Sequence, residues 1–109
     1  MNKKNIDKLI PKAMEYIEKN FLKNGSVKKV YQGYLASFGP TVISSGLTQT
    51  LAFYSADSEK NKVVKMMFDI LDMKLDLKNT SYNDYALKNK ILEANIACKL
   101  AIRTFEMKD

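Results

Sequence analysis

The apolar residues of this chain recur every three or four positions along almost its whole length, and that spacing limits its fold more than any other feature. Each residue turns about 100° around an α-helix, so the spacing gathers apolar side chains onto one face, whereas a half-buried strand needs strict alternation. Ile6, Ile10, Ala13, Met14, Ile17 and Phe21 form the first such face. Pro11 interrupts it, because proline lacks a backbone donor and restricts the residue before it. The first helix is therefore expected either to stop near Ile10 or to start late enough to put Pro11 in its first turn. Asn24-Gly25 supplies its stop.

Ser26 is a candidate N-cap for a second helix, with Val27, Val30, Tyr31, Tyr34, Leu35 and Phe38 on its apolar face. Gly39-Pro40 ends that helix, and Pro40 opens a third, carrying Val42, Ile43, Leu47, Leu51, Phe53 and Tyr54. Gly46 falls inside the third helix, where it is expected to weaken or bend it. Asp57 or Ser58 caps a fourth helix, whose inner face is Val63, Val64, Met66, Met67, Ile70 and Leu71. Ser81 to Asp84 resembles a capping box ahead of the last helix. There Leu87, Ile91, Ala94, Cys98, Ala101 and Phe105 repeat in a near-heptad seam, and Leu92, Ile96 and Leu100 form a second stripe. The expected fold is all-α: one domain over residues 1–109, a bundle of about five helices with short loops.

Composition narrows the chemistry. The chain has 109 residues and no histidine, which removes the usual general base and the commonest metal ligand. Cys98 is the single cysteine, so no internal disulfide forms, and its place among alanines reads as a buried structural thiol. Asp69, Asp72 and Asp76 share a helical spacing but read as a solvated face, with Lys65 and Lys74 nearby. No catalytic residue, metal site or cofactor is implied, and a small enzyme has almost no residue support. No apolar run approaches the roughly 20 residues of a membrane span. The basic N-terminus has no apolar stretch after it, as a signal peptide would. The expected location is the cytoplasm, where the sequon Asn79-Thr80-Ser81 has no meaning.

The net charge of +6 is unevenly spread. Residues 1–56 hold eight lysines against three acids, while residues 57–109 are nearly balanced. Lys8, Lys12, Lys19 and Lys23 fall on one side of the first helix, a row of roughly 22 Å at 1.5 Å per residue. Lys28 and Lys29 open the second helix. Lys88, Lys99 and Arg103 form a further stripe. Sequence-independent contact with a phosphate backbone is thus best placed in the N-terminal half.

The stretch from Tyr31 to Ser55 is the most distinctive, with Ser45, Gly46, Leu47, Thr50, Leu51, Ala52 and Phe53 at its centre. It resembles the small all-helical subunit of the type III-B CRISPR effector, the Cmr (RAMP module) complex. Leu9-Ile10-Pro11-Lys12-Ala13 and the closing Ala-Ile-Arg-Thr-Phe are similar to that family too. The resemblance implies a non-catalytic subunit whose copies stack along the effector and border the channel where target RNA pairs with guide RNA. Target cleavage and signalling then belong to other subunits. It implies basic residues along an RNA-facing surface without mapping them one by one; the best-placed candidates for RNA-backbone contact are Lys28 and Lys29, just ahead of Tyr31, then Lys12 and Lys19, then Arg103. It also implies a motif or subunit interface around Gly46, Leu47, Gln49 and Phe53. The partners are other effector subunits, copies of itself, guide RNA and target RNA, with no membrane. The competing reading is a free helical DNA-binding or regulatory protein. A helix-turn-helix over Val27–Phe38 and Pro40–Tyr54 would put a helix without lysine or arginine in the groove, which argues against it.

Overall fold

A computed structural model describes residues 1–78 and 84–109. Among them are five helices: α1 (Lys3–Asn20), α2 (Lys29–Ser45), α3 (Leu47–Ser55), α4 (Lys60–Ile70) and α5 (Tyr85–Ile102). Two short strands, β1 (Val27–Lys28) and β2 (Met107–Lys108), complete the element order. The all-α expectation holds, and three helix boundaries move.

α1 starts at Asn2, whose side-chain oxygen accepts from the backbone N–H of Lys4 at 2.8 Å and of Asn5 at 3.4 Å. It then runs straight through Pro11, contrary to both readings of that residue. Pro11 and Asp7, whose carbonyl loses its helical partner, are both exposed, so water can replace the missing bond. Leu9, Ala13 and Ile17, buried on the opposite side, hold the helix together across the defect. Asn24-Gly25 does not end α1. Both residues have positive φ (54° and 81°) and close a tight turn in which Lys23 and Ser26 exchange backbone hydrogen bonds of 2.9 and 3.1 Å. Ser26 is committed to that turn, and Lys28 takes the N-cap of α2 without a side-chain cap bond.

The second correction concerns Gly39-Pro40. α2 continues through both residues, because Phe38 and Val42 on either side are buried while Pro40 is exposed. The chain breaks instead at Gly46, with φ 85° and ψ 159°, so Gly46 separates two helices and does not bend one. Glu59, not Asp57 or Ser58, takes the N-cap of α4; Asp57 sits in the turn before it and accepts from the N–H groups of Glu59 at 2.9 Å and Lys60 at 3.1 Å, bonds that hold its carboxyl below the usual range. Asp84 caps α5 by accepting from Ala86 at 2.7 Å. The capping-box residues Ser81 to Asn83 and the sequon lie outside the described residues.

α5 is the central helix, packed on α1, α2 and α4. Ile91, Ala94, Cys98 and Ala101 are buried as the seam requires, together with Ala97 and Ile102. The second stripe is only half-buried at Leu92 and Ile96, and Leu100 is exposed. Two polar residues take buried places in α5 instead. Asn95 donates to the carbonyl of Leu35 at 3.0 Å, tying α5 to α2. Glu93 accepts from the backbone N–H of Asn2 at 2.7 Å, so a carboxylate of the last helix holds the start of the first.

β1 and β2 pair in parallel, Val27 beside Met107 and Lys28 beside Lys108. The Val27 N–H also donates to the carbonyl of Glu106 at 2.9 Å, pinning the segment after α5 to the start of α2. The whole forms one globule with a radius of gyration of 13.1 Å, as expected for a compact chain of this length (about 13 Å).

Cys98 is buried, and burial pushes its thiol pKa up. Thiols attack as thiolates, so the folded protein should not react with a water-soluble disulfide reagent at neutral pH. The expected labelling rate is the rate of unfolding. Fast stoichiometric labelling in buffer would contradict the burial.

Candidate functional site

The cationic residues singled out in the sequence divide into three settings. Lys12 and Lys19 lie in a groove between α1 and α4, also lined by Glu15, Tyr16, Asp69 and Asp72. Lys19 is 2.8 Å from Glu15, and Lys12 is 3.9 Å from Asp72. The row of lysines on α1 is therefore interleaved with acids from α1 itself and from the end of α4. All four charged groups are exposed, and the pairs add little to stability, but they dilute the local positive potential.

Lys28 belongs to a different cleft, of about 430 Å³, where the turn after α1, the β1–β2 pair and the start of α4 meet. Lys23, Lys62 and Lys108 line it as well, with Asn20, Asn24 and Ser26 offering neutral polar groups. Phe21 and Tyr31 form an aromatic wall, their ring centroids 4.6 Å apart. The Tyr31 hydroxyl donates to Glu59 at 2.7 Å, and Lys62 lies 3.3 Å from the same carboxylate and 3.4 Å from the hydroxyl. Burial raises the Tyr31 pKa, and the bond to Glu59 raises it further. The tyrosine hydroxyl and Lys62 together hold Glu59 below the usual carboxylate range.

Lys29 starts α2 and is exposed, one turn ahead of Gln32 and Gly33. Those two residues, with Ala36, Lys99 and Arg103, line a shallow groove of about 160 Å³ between α2 and the end of α5. The structure thus places Lys28 and Arg103 in different grooves. Neither is the groove of Lys12 and Lys19.

The motif residues also part company. Leu47 is buried and belongs to the core, while Gly46 forms the break between α2 and α3. Gln49 and Phe53 line a groove of about 330 Å³ with Thr41, Ser45 and Thr50. Phe53 is 60% exposed, a large fraction for an aromatic side chain. The Lys60 ammonium sits 4.5 Å from the centre of its ring, and 5.7 and 5.8 Å from Tyr54 and Tyr34. Tyr54 is buried and held by Ser37 at 2.6 Å and the Tyr34 carbonyl at 2.9 Å. Ile43, assigned by periodicity to an apolar face, is 77% exposed. Between Val30 and Ala56 there is no charged residue, so the exposed parts of α2 and α3 present a surface of small, polar-neutral and apolar groups. That gap is legible in the sequence. The joining of Lys23, Lys62 and Lys108 with Lys28 is not, since most of them lie far apart along the chain.

No helix among the described residues is long and apolar enough to cross a membrane. Comparison with curated proteins and with solved structures gave no match. The family model of the CRISPR-associated protein (Cas_Cmr5) matches residues 6–104, from the first turns of α1 to just beyond α5. A match over that span, on an all-helical globule of this design, shows that the chain belongs to the CRISPR-associated Cas_Cmr5 family, the small-subunit family of type III-B systems.

Proposed function

We propose that this chain is a non-catalytic small subunit of a cytoplasmic type III-B RNA-guided effector, docking to neighbouring subunits and to copies of itself while touching guide or target RNA through its phosphates. The observation that carries this reading is the division of the surface. From Val30 to Ser55, α2 and α3 themselves contribute no charge and expose Gln49 and Phe53, with the Lys60 ammonium over the Phe53 ring, whereas Lys29 and Arg103 stand at the start of α2 and the end of α5. Protein interfaces deplete charge at their centres and keep aromatic anchors. Phosphate backbones are bound by lysine and arginine without regard to sequence. Family membership supports partnership with other effector subunits. Lys28 and Lys29 lead the RNA contacts, with Arg103 beside the Lys29 face and Lys12 and Lys19 contributing from their acid-diluted groove.

The test is co-purification of the tagged chain with effector subunits and guide RNA, combined with RNA binding by the isolated protein. Charge reversal at both positions, Lys28→Glu with Lys29→Glu, is expected to weaken binding of single-stranded RNA at least tenfold. It should also lower the log–log salt slope by about 1.4, roughly 0.7 for each phosphate left without its lysine. The DNA-binding alternative has less to build on. Its turn at Gly39-Pro40 is helical, and α3 has no lysine or arginine. Tight, sequence-specific binding of duplex DNA by the isolated chain would overturn the effector reading.

A further inference from the structure

We propose that the cleft formed by Lys23, Lys28, Lys62 and Lys108 is a built phosphate site, taking a compact anion with two or more phosphate charges. The four lysines come from four separate segments: the turn after α1, β1, α4 and β2. Lysines on one solvated helix face recur by local spacing, and only the tertiary fold brings these together.

The strand register strengthens the case. Lys28 and Lys108 are direct partners in the parallel pair, and like charges side by side on paired strands oppose the pairing. Among the described residues, ion pairs engage Lys12, Lys19 and Lys62, and none engages Lys23, Lys28 or Lys108. The acids at hand are Asp109, which lines the cleft, and Glu59, which is bonded to Tyr31 and Lys62 and also feels the charge of Lys28. Positive charge therefore outweighs negative there, beside the Phe21–Tyr31 aromatic wall, with all four ammonium groups open to an incoming anion. A volume of about 430 Å³ falls in the range of small-ligand pockets, roughly 300–1,000 Å³. An anion bridging Lys28 and Lys108 would turn their repulsion into a shared contact. α1 ends at Asn20, so Lys23 leaves the expected lysine row for the cleft, while Lys12 and Lys19 of that row share their groove with acids.

The chemistry has two sources: adjacent phosphodiesters of an RNA strand, which rests on the proposed function, or a free polyphosphate. The test uses the full chain, inorganic tripolyphosphate by calorimetry, and a labelled single-stranded RNA by anisotropy over a salt series. The variant is Lys23→Gln with Lys108→Gln, both exposed and in no ion pair among the described residues, with equal melting midpoints as the folding check. Lys74→Gln, an exposed lysine outside the cleft, is the control. The double variant is expected to weaken binding at least tenfold and to lower the RNA salt slope by about 1.4. Weakening seen with RNA alone assigns the site to RNA phosphates. Tripolyphosphate binding that needs the cleft, with no RNA binding, upholds the site and removes the RNA reading. RNA binding unchanged in the double variant and no tripolyphosphate binding overturns the site and leaves the RNA reading standing. No binding of either probe overturns both.

Discussion

Phe53→Ala is expected to cut association of the subunit with its neighbours at least 30-fold, about 2 kcal/mol, while leaving its own fold intact. A central aromatic anchor in a protein interface typically carries about 2 kcal/mol or more on truncation. Phe53 is 60% exposed and contributes little to the core, so its removal should change stability by less than about 1 kcal/mol. The Lys60 ammonium over the ring and the neighbouring Tyr54, whose hydroxyl is bonded twice, hold the side chain in place before any partner arrives. Pre-ordering of this kind lowers the entropy cost of docking. The measurement is the fraction of chain recovered in the assembled complex over a concentration series, beside the melting curve of the isolated protein. Unchanged assembly with Phe53→Ala would remove the α2–α3 face from the docking surface.

Gly46→Ala is expected to destabilise the isolated protein by about 2 kcal/mol, since residues held in glycine-only backbone regions cost about 1–3 kcal/mol. Gly46 has φ 85° and ψ 159°, a combination that L-residues with a Cβ avoid. A Cβ there would meet no atom within 4 Å, so the cost is backbone strain and not a clash. The melting midpoint should fall by about 10 °C, at roughly 5 °C per kcal/mol for a domain of this size. Gly33→Ala supplies the opposite sign. Gly33 lies within α2, without a positive φ and with open space around it, so alanine there should stabilise by about 0.5–1 kcal/mol. If Gly46→Ala also stabilised, the chain would have to be helical through residue 46.

The displaced helix boundaries share one cause. Local propensity marks Pro11, Gly39 and Pro40 as breakers. Each sits in a helix whose buried side is long enough to carry the defect: Leu9, Ala13 and Ile17 around Pro11, and Leu35, Phe38 and Val42 around Gly39-Pro40. The prolines face water, where an unpaired carbonyl costs little. Gly46 stands out in the sequence, but its role depends on a backbone angle that no spacing encodes. The candidate site is partly legible for a similar reason. Lys28 and Lys29 stand out beside an uncharged interval, yet the sequence offers no sign that Lys28 meets Lys108 or that Asp72 reaches Lys12. Leu47 and Phe53 look alike in the motif, and only packing sends one into the core and leaves the other at the surface.

By itself the sequence determined the helical class, the buried seam of α5 and the asymmetry of charge. It did so because helical periodicity and composition are local properties, repeated often enough along the chain to outweigh single exceptions. The tertiary structure decided where the helices break, which exposed lysines are neutralised, and which converge. Those outcomes depend on residues tens of positions apart meeting in space, as when β2 lies beside β1 and Glu93 holds the backbone N–H of Asn2. A charge that reads as one more lysine along the chain acquires its chemical meaning from the neighbours that folding gives it.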